Sequence, residues 1–238
     1  MNDMKTALVT GANKGIGFAI AQGLGALGFR VAIGARDDIR RKEAVEQLRA
    51  DGIDAFGVAL DVTSDESVAA AAETVEQTAA GLDVLVNNAG IAGRIDDGAQ
   101  DPTTLDLDVL REVLETNVFG VVRVTNAMLP LLRRSATPRI VNLSSTMGSL
   151  TLQTGPILAA YAPSKSMLNS ITAVYARQFA DTNVIVNAAC PGYVATDFNG
   201  FNGLRTPQEG AAIAIRLATL SDDGPRGGFF NDEGTVPW

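Results

Sequence analysis

Short apolar runs rich in valine alternate with longer helical patterns along the whole chain, and few folds accommodate that rhythm. The predicted strands are 6–10, 30–34, 55–60, 83–87, 139–144 and 184–188, with 227–230 as a seventh. Between them, Ile16, Ala19, Ile20, Gly23 and Leu27 share one helix face, and Val68, Ala71, Ala72, Val75 and Ala79 share another, with Ser64 a better N-cap than Ser67. A long helix is expected from Thr104 to Arg133, one from Leu158 to Phe179, and one from Pro207 to Leu220, where Pro207 suits a first turn. Strands that are apolar throughout are buried on both faces, so the pattern predicts an α/β fold, doubly wound, with a seven-stranded mostly parallel sheet flanked by helices. No repeat or linker interrupts the alternation, so a single domain over 1–238 is expected. Such a sheet binds its ligand beyond the carboxyl ends of its strands.

Composition removes several classes of chemistry. With no histidine and one cysteine, Cys190, the chain has no imidazole ligand or base, no internal disulfide and no metal site built on a cysteine cluster. Proton transfer falls to Tyr, Lys, Asp or Glu. A formal net charge of -8 argues against nucleic acid and anionic membrane surfaces, leaving a small molecule as the expected partner. The start, Met1 to Lys5, runs into an apolar strand with no longer hydrophobic stretch behind it, so a cytoplasmic location without a membrane span is expected.

Directly after the first strand comes Thr10-Gly11-Ala12-Asn13-Lys14-Gly15-Ile16-Gly17 and then a helix. Glycines permit a tight turn and close approach to a pyrophosphate, and the free N–H groups of the helix start face an anion. The spacing Gly-x3-Gly-x-Gly at this position resembles the short-chain dehydrogenase/reductase family, whose fold is of Rossmann type. The resemblance extends through Asn87-Asn88-Ala89-Gly90, the segment Ser144-Ser145, the pair Tyr161 and Lys165, and Cys190-Pro191-Gly192-Tyr193-Val194-Ala195-Thr196. The glycine-loop wording, the extra residues before Tyr161 and the tail Gly228-Phe229-Phe230-Asn231-Asp232 are most similar to the carbonyl-reductase branch.

At the end of the second strand, where a carboxylate would favour an unphosphorylated ribose, stands Ala35, followed by Arg36. Arg36 offers a fork for a 2′-phosphate and Lys14 a point charge, so NADP(H) is the expected cofactor, although Asp37 and Asp38 weaken the local field. The resemblance implies further cofactor contacts. Gly11, Asn13, Lys14, Gly15, Ile16 and Gly17 would cradle the phosphates, Asp61 and Val62 would flank the adenine, and Asn88, Ala89 and Gly90 would support sheet and cofactor. Pro191, Gly192, Val194 and Thr196 would meet the nicotinamide end, and Lys165 its ribose.

Tyr161 and Lys165 stand four apart, which in a helix puts both on one face. A carbonyl receiving hydride must also receive a proton. A free phenol has a pKa of about 10, and lowering it by roughly three units needs about 4 kcal/mol, which an ammonium at roughly 4 Å supplies at an intermediate dielectric. Lys165 is therefore expected to make Tyr161 more acidic. By resemblance, Ser145 holds the substrate oxygen, with Ser144 as the alternative, and Asn117 joins Lys165 to solvent through water. No metal is expected.

The implied activity is reduction of a ketone, aldehyde or quinone in a pocket formed by 91–102, 147–158 and 193–205, with Gly200 and Gly203 lending mobility to the last segment. An NAD-dependent alcohol or sugar dehydrogenase and a non-catalytic dinucleotide-sensing protein are the alternatives. The resemblance implies a homodimer or homotetramer, although the carbonyl-reductase branch includes monomers.

Overall fold

The computed structural model describes residues 4–79, 81–152 and 155–238. Met1 to Asp3, from the N-terminal reading, and Gln153 and Thr154, from the expected pocket, lie outside the described residues. The strands are β1 (Thr6–Thr10), β2 (Arg30–Ala35), β3 (Ala55–Ala59), β4 (Val84–Asn87), β5 (Arg139–Leu143), β6 (Ile185–Ala189), β7 (Phe229–Asn231) and β8 (Gly234–Thr235). They form one sheet in the order β3-β2-β1-β4-β5-β6-β7-β8, parallel except for the β7/β8 pair. The expectation of seven strands is one short: β8 is a two-residue antiparallel edge, too brief to carry an apolar period.

The helices are α1 (Gly15–Ala26), α2 (Asp38–Ala50), α3 (Asp65–Ala79), α4 (Leu107–Leu114), α5 (Gly120–Leu132), α6 (Tyr161–Gln178) and α7 (Pro207–Ala218). Side chains alternate across each strand, so neighbouring residues enter opposite cores. Val84 and Val86 join Ile20, Leu24, Ile213 and Leu217 on one face, while Leu85 joins Val68, Val75, Val124 and Met128 on the other. Ser64 does cap α3, its hydroxyl accepting from Ser67 N at 3.1 Å.

Two helical readings change. The helix α2 has only Ala44, Val45 and Leu48 buried, a stripe too thin to register in a charged segment. The expected helix over 104–133 starts later, at Leu107 behind the Asp106 cap, and a π-turn over Glu115–Phe119 divides α4 from α5. The strand order reverses between β1 and β4, which opens the crevice above their carboxyl ends.

Candidate active site

The glycine loop leaves β1 at this crevice and is fastened to β4. Thr10 Oγ1 accepts from Asn88 N (3.0 Å) and Ala89 N (2.9 Å), while Asn88 Nδ2 donates to Thr10 O (2.8 Å) and Gly11 O (3.2 Å). Gly11 takes the left-handed φ of 64°, and a Cβ at Gly17 would lie 2.4 Å from Asn88 Nδ2 and 2.5 Å from Gly11 O. Only glycine fits there. No side chain among the described residues caps α1, whereas Asp37, Asp106 and Thr206 cap α2, α4 and α7. The free N–H groups at Gly15 to Gly17 and the bare loop fit the pyrophosphate of a dinucleotide.

At the end of β2, Ala35 is buried and Arg36 is exposed. Asp37 is occupied as the α2 cap, accepting from Arg40 N at 3.0 Å, and Asp38 pairs with Arg41 and Lys42. The acids that complicated the cofactor reading thus face their own helix. Asp61 folds back on Thr63, whose hydroxyl and N–H hold its carboxyl below the usual range, with Arg36 and Arg123 adding to the effect. Val62 is buried against Gly120. Lys14 sits differently from the expectation: its ammonium pairs with Asp197, beyond β6.

On α6, Tyr161 is half-buried along the cleft and Lys165 is buried behind it, with Nζ 5.6 Å from the phenol ring centroid and donating to Leu143 O at 2.8 Å. The two serines after β5 point opposite ways. Ser144 Oγ donates to Asn169 Oδ1 at 2.6 Å inside the fold, while Ser145, partly exposed at the cleft, accepts from Met147 N at 3.2 Å and lies near enough to the Tyr161 phenol to pull its pKa down. Geometry therefore favours Ser145 over Ser144 as the hydroxyl facing a substrate. Gly148 lets this turn dock on α6, since a Cβ there would fall 2.7 Å from the Lys165 backbone.

The expected acidification of Tyr161 is not what the protein does on its own. Burial pushes the phenol up to about 12 against the pull of the Ser145 hydrogen bond, and burial drives Lys165 down to about 8. Desolvation disfavours the charged form of each group, so it raises the phenol and lowers the ammonium. The consequence is a phenol that keeps its proton throughout the neutral range, the state a proton donor requires.

Asn117 occupies the π-turn, a distortion frequent at functional sites. Its amide is fully engaged: Oδ1 accepts from Ile91 N (2.8 Å), and Nδ2 donates to Ile91 O (2.9 Å) and Ser164 Oγ (3.0 Å). A Cβ on Gly90 would lie 3.1 Å from Asn117 Oδ1 and 3.6 Å from Lys165 Nζ, so Gly90 leaves space above both.

Beyond β6, Pro191 and Gly192 turn with Gly192 at φ 77°, and Thr196 is buried with its methyl 3.2 Å from where a Gly15 Cβ would stand. Val194 is buried too, bridged to Arg205. Gly203 is not a hinge: a Cβ would lie 2.0 Å from the Val194 carbonyl carbon, and Ala195 N donates to Arg205 O at 2.8 Å. The base of this loop is pinned. Asn13 is partly exposed in the glycine loop, and Ile16, also partly exposed, packs against the core.

Comparison with known proteins agrees with this geometry. A family model described as short chain dehydrogenase matches residues 5–204. The chain belongs to the short-chain dehydrogenase family. A short-chain dehydrogenase of Penicillium roqueforti is 37% identical over 96% of this chain and 94% of its own length. The NADPH carbonyl reductase 1 of Rattus norvegicus is 32% identical over 100% of this chain and 99% of its own. Among solved structures, the NADPH-bound carbonyl reductase from chicken fatty liver aligns with a TM-score of 0.86 at 31% identity, covering 99% of each chain. This short-chain dehydrogenase is an oxidoreductase of the family, and its resemblance to the carbonyl-reductase branch holds.

Three residues inside the predicted pocket segments carry contacts that the sequence did not assign to them. Phe198 packs edge-on against Tyr161 with centroids 5.6 Å apart. Arg205 joins Pro191 O (3.0 Å), Glu209 O (2.8 Å) and the Asp232 carboxylate, lining a cavity of about 420 Å³ with Thr146, Cys190 and Gly192. Gln100 reaches from the loop after β4 to the start of α6. None carries a local signal; only the Thr206-Pro207-x-Glu209 capping box beside Arg205 marks its neighbourhood.

Proposed function

We propose that the protein reduces the carbonyl of a ketone, aldehyde or quinone to an alcohol, with NADPH as reductant and Tyr161 as proton donor. The observation that carries this reading is one cluster: the Tyr161 phenol with the Ser145 hydroxyl beside it and the Lys165 ammonium buried behind it. Bound NADPH supplies the hydride. Ser145 and Tyr161 hold the carbonyl oxygen between two hydroxyls, and the phenol hands its proton to that oxygen as charge develops there. Lys165, tethered by Leu143 O, stabilises the phenolate left behind and is placed to hold ribose hydroxyls. Asn117 fixes the loop at Ile91 and the π-turn beside the lysine.

The phosphorylated cofactor is favoured by Ala35 and the exposed Arg36, with Asp37 spent as a helix cap. The NAD-dependent alternative lacks its carboxylate at this position. The names of relatives from rat and chicken, both NADPH carbonyl reductases, support the same choice. We also propose a single dinucleotide-binding domain that includes the substrate site, a reducing cytoplasmic setting consistent with the single buried cysteine, and assembly as a homodimer or homotetramer. No helix among the described residues is long and apolar enough to cross a membrane.

The test is consumption of NADPH, followed by absorbance, across a panel of ketones, aldehydes and quinones, repeated with NADH and with Arg36→Ala. Turnover with NADPH that weakens selectively in Arg36→Ala supports the reading. Equal use of both cofactors by both proteins removes the case for NADPH, and no turnover with any carbonyl removes the activity.

A further inference from the structure

We propose that Gln100 is the residue that seats Tyr161, joining the loop after β4 to the start of α6. Its role rests on the carbonyl-reductase reading above, but its geometry stands apart from it. Gln100 is 3% exposed and lies in a loop that is otherwise open to solvent between Arg94 and Gly98. Its Nε2 donates to Ala92 O (2.7 Å) and Arg94 O (3.2 Å). Its Oε1 accepts from Ala160 N (3.2 Å) and Tyr161 N (3.1 Å), and its backbone carbonyl accepts from Ala159 N (3.1 Å). The orientation of the amide is forced, because backbone carbonyls only accept and N–H groups only donate.

A helix start leaves N–H groups without partners, and a buried start needs an acceptor brought from elsewhere. The α6 helix has no capping side chain of its own at Ala160, which is fully buried and already helical at φ -96° and ψ -47°. Gln100, some sixty residues away in sequence, supplies that acceptor at the two N–H groups flanking the peptide that carries Tyr161. Gly93 makes the fit possible. At φ 77° it wraps the loop around the amide, and a Cβ there would lie 2.6 Å from Val113 and 3.3 Å from Gln100 Nε2.

The same loop is gripped at Ile91 by Asn117. Two buried amides thus tie one substrate loop to the residues expected to do the chemistry: Asn117 at its beginning and Gln100 at its middle. Gln100 touches no reacting atom. It is a positioning residue, and its loss should appear as misplacement of the phenol and leave the distant glycine loop intact.

Three variants test this: Gln100→Met, which keeps the volume and loses every side-chain hydrogen bond; Gln100→Glu, which keeps an acceptor for α6; and Gln100→Asn, which is one methylene too short. The readouts are kcat, NADPH affinity, and amide hydrogen exchange at Ala160 and Tyr161. We expect Gln100→Met to lower kcat about tenfold or more with NADPH affinity within about twofold, and to speed exchange at both amides, since a buried pair of donors loses its acceptor. Gln100→Glu should slow the exchange at Ala160 and Tyr161 relative to Gln100→Met, since an acceptor for α6 remains, while Ala92 O and Arg94 O lose their donor. If Gln100→Met does not fold, Gln100→Asn is read instead, with a kcat loss of about threefold and faster exchange expected. Unchanged kcat in the folded Met or Asn variant, or exchange at Ala160 and Tyr161 as fast in the Glu variant as in Met, overturns the proposal. Should the parent turn over no carbonyl, the functional reading fails by itself, and exchange decides Gln100 alone: no change at Ala160 and Tyr161 overturns its seating role.

Discussion

On the glycine-loop side of the cleft, Thr10, Gly11, Gly17 and Asn88 lock together through backbone contacts too close for any larger residue, whereas on the opposite side Ile95, Leu150, Ile157, Phe201 and Leu204 stand exposed on loops. Those loops are fastened at a few points: Gln100, Arg205, and Ser149, whose hydroxyl donates to Pro237 O at 2.7 Å. One wall is part of the folded interior and the other is scaffolding with a changeable lining. Replacement in the first wall costs stability and cofactor binding together. On the proposed activity, replacement in the second should change which carbonyl compounds are accepted, at little cost to the fold.

The largest expected effect comes from the point where the walls meet. Lys165→Met should cut carbonyl reduction by about 10²–10⁴-fold and weaken NADPH binding, because it removes the ammonium proposed to stabilise the phenolate and hold the ribose. Steady-state rates and cofactor titration check both parts, and a loss confined to either one breaks the shared role.

Next is the dependence on pH. Lys165 is drawn down to about 8 from 10.5, so its ammonium is present below that pH and lost above it. The Tyr161 phenol, at about 12, keeps its proton over the same window and adds no limb there. The reduction rate should therefore be level in the neutral range and fall about tenfold per pH unit above pH 8, and Lys165→Arg should remove that fall. The linked stability has a definite sign: between about 8 and 10.5 the folded chain binds fewer protons at Lys165 than the unfolded chain, so stability from this residue rises with pH.

Asn88→Ala probes the rigid wall alone. Thr10 O and Gly11 O lose their donor, so stability should drop by about 1–3 kcal/mol and NADPH affinity by several fold, with the KM for carbonyl compounds little changed. Denaturant melts and cofactor titration measure it. The smallest effect belongs to the other wall. Phe198→Ala removes the ring packed on Tyr161 and should alter the KM of aromatic ketones by a few fold, at about 1 kcal/mol, with stability unchanged. Equal losses for aromatic and aliphatic ketones would deny it a part in selection.

The rigid wall was also the readable one. The central strands, the glycine loop, the Tyr161/Lys165 pair and the Ser64 cap follow from period, spacing and local chemistry, which act over a few residues. What stayed hidden depends on residues that meet only after folding. Asp197 lies 183 residues from Lys14, and Gln100 sits in a loop with no period to betray its two-sided grip on α6. The π-turn at Asn117 has an ordinary helical sequence, and α2 buries too few apolar side chains to show a stripe. The Tyr161 proton is set the same way: spacing reveals the ammonium, but only the packed structure reveals how much water both groups give up, which raises the phenol and lowers the ammonium.

The central claim is that Tyr161 delivers the proton. Single-turnover reduction of a ketone by protein preloaded with NADPH, comparing the parent with Tyr161→Phe, tests it most directly. The account predicts a rate lower by about 10²-fold or more with cofactor affinity unchanged. Reduction by the phenylalanine variant at the parent rate would contradict it.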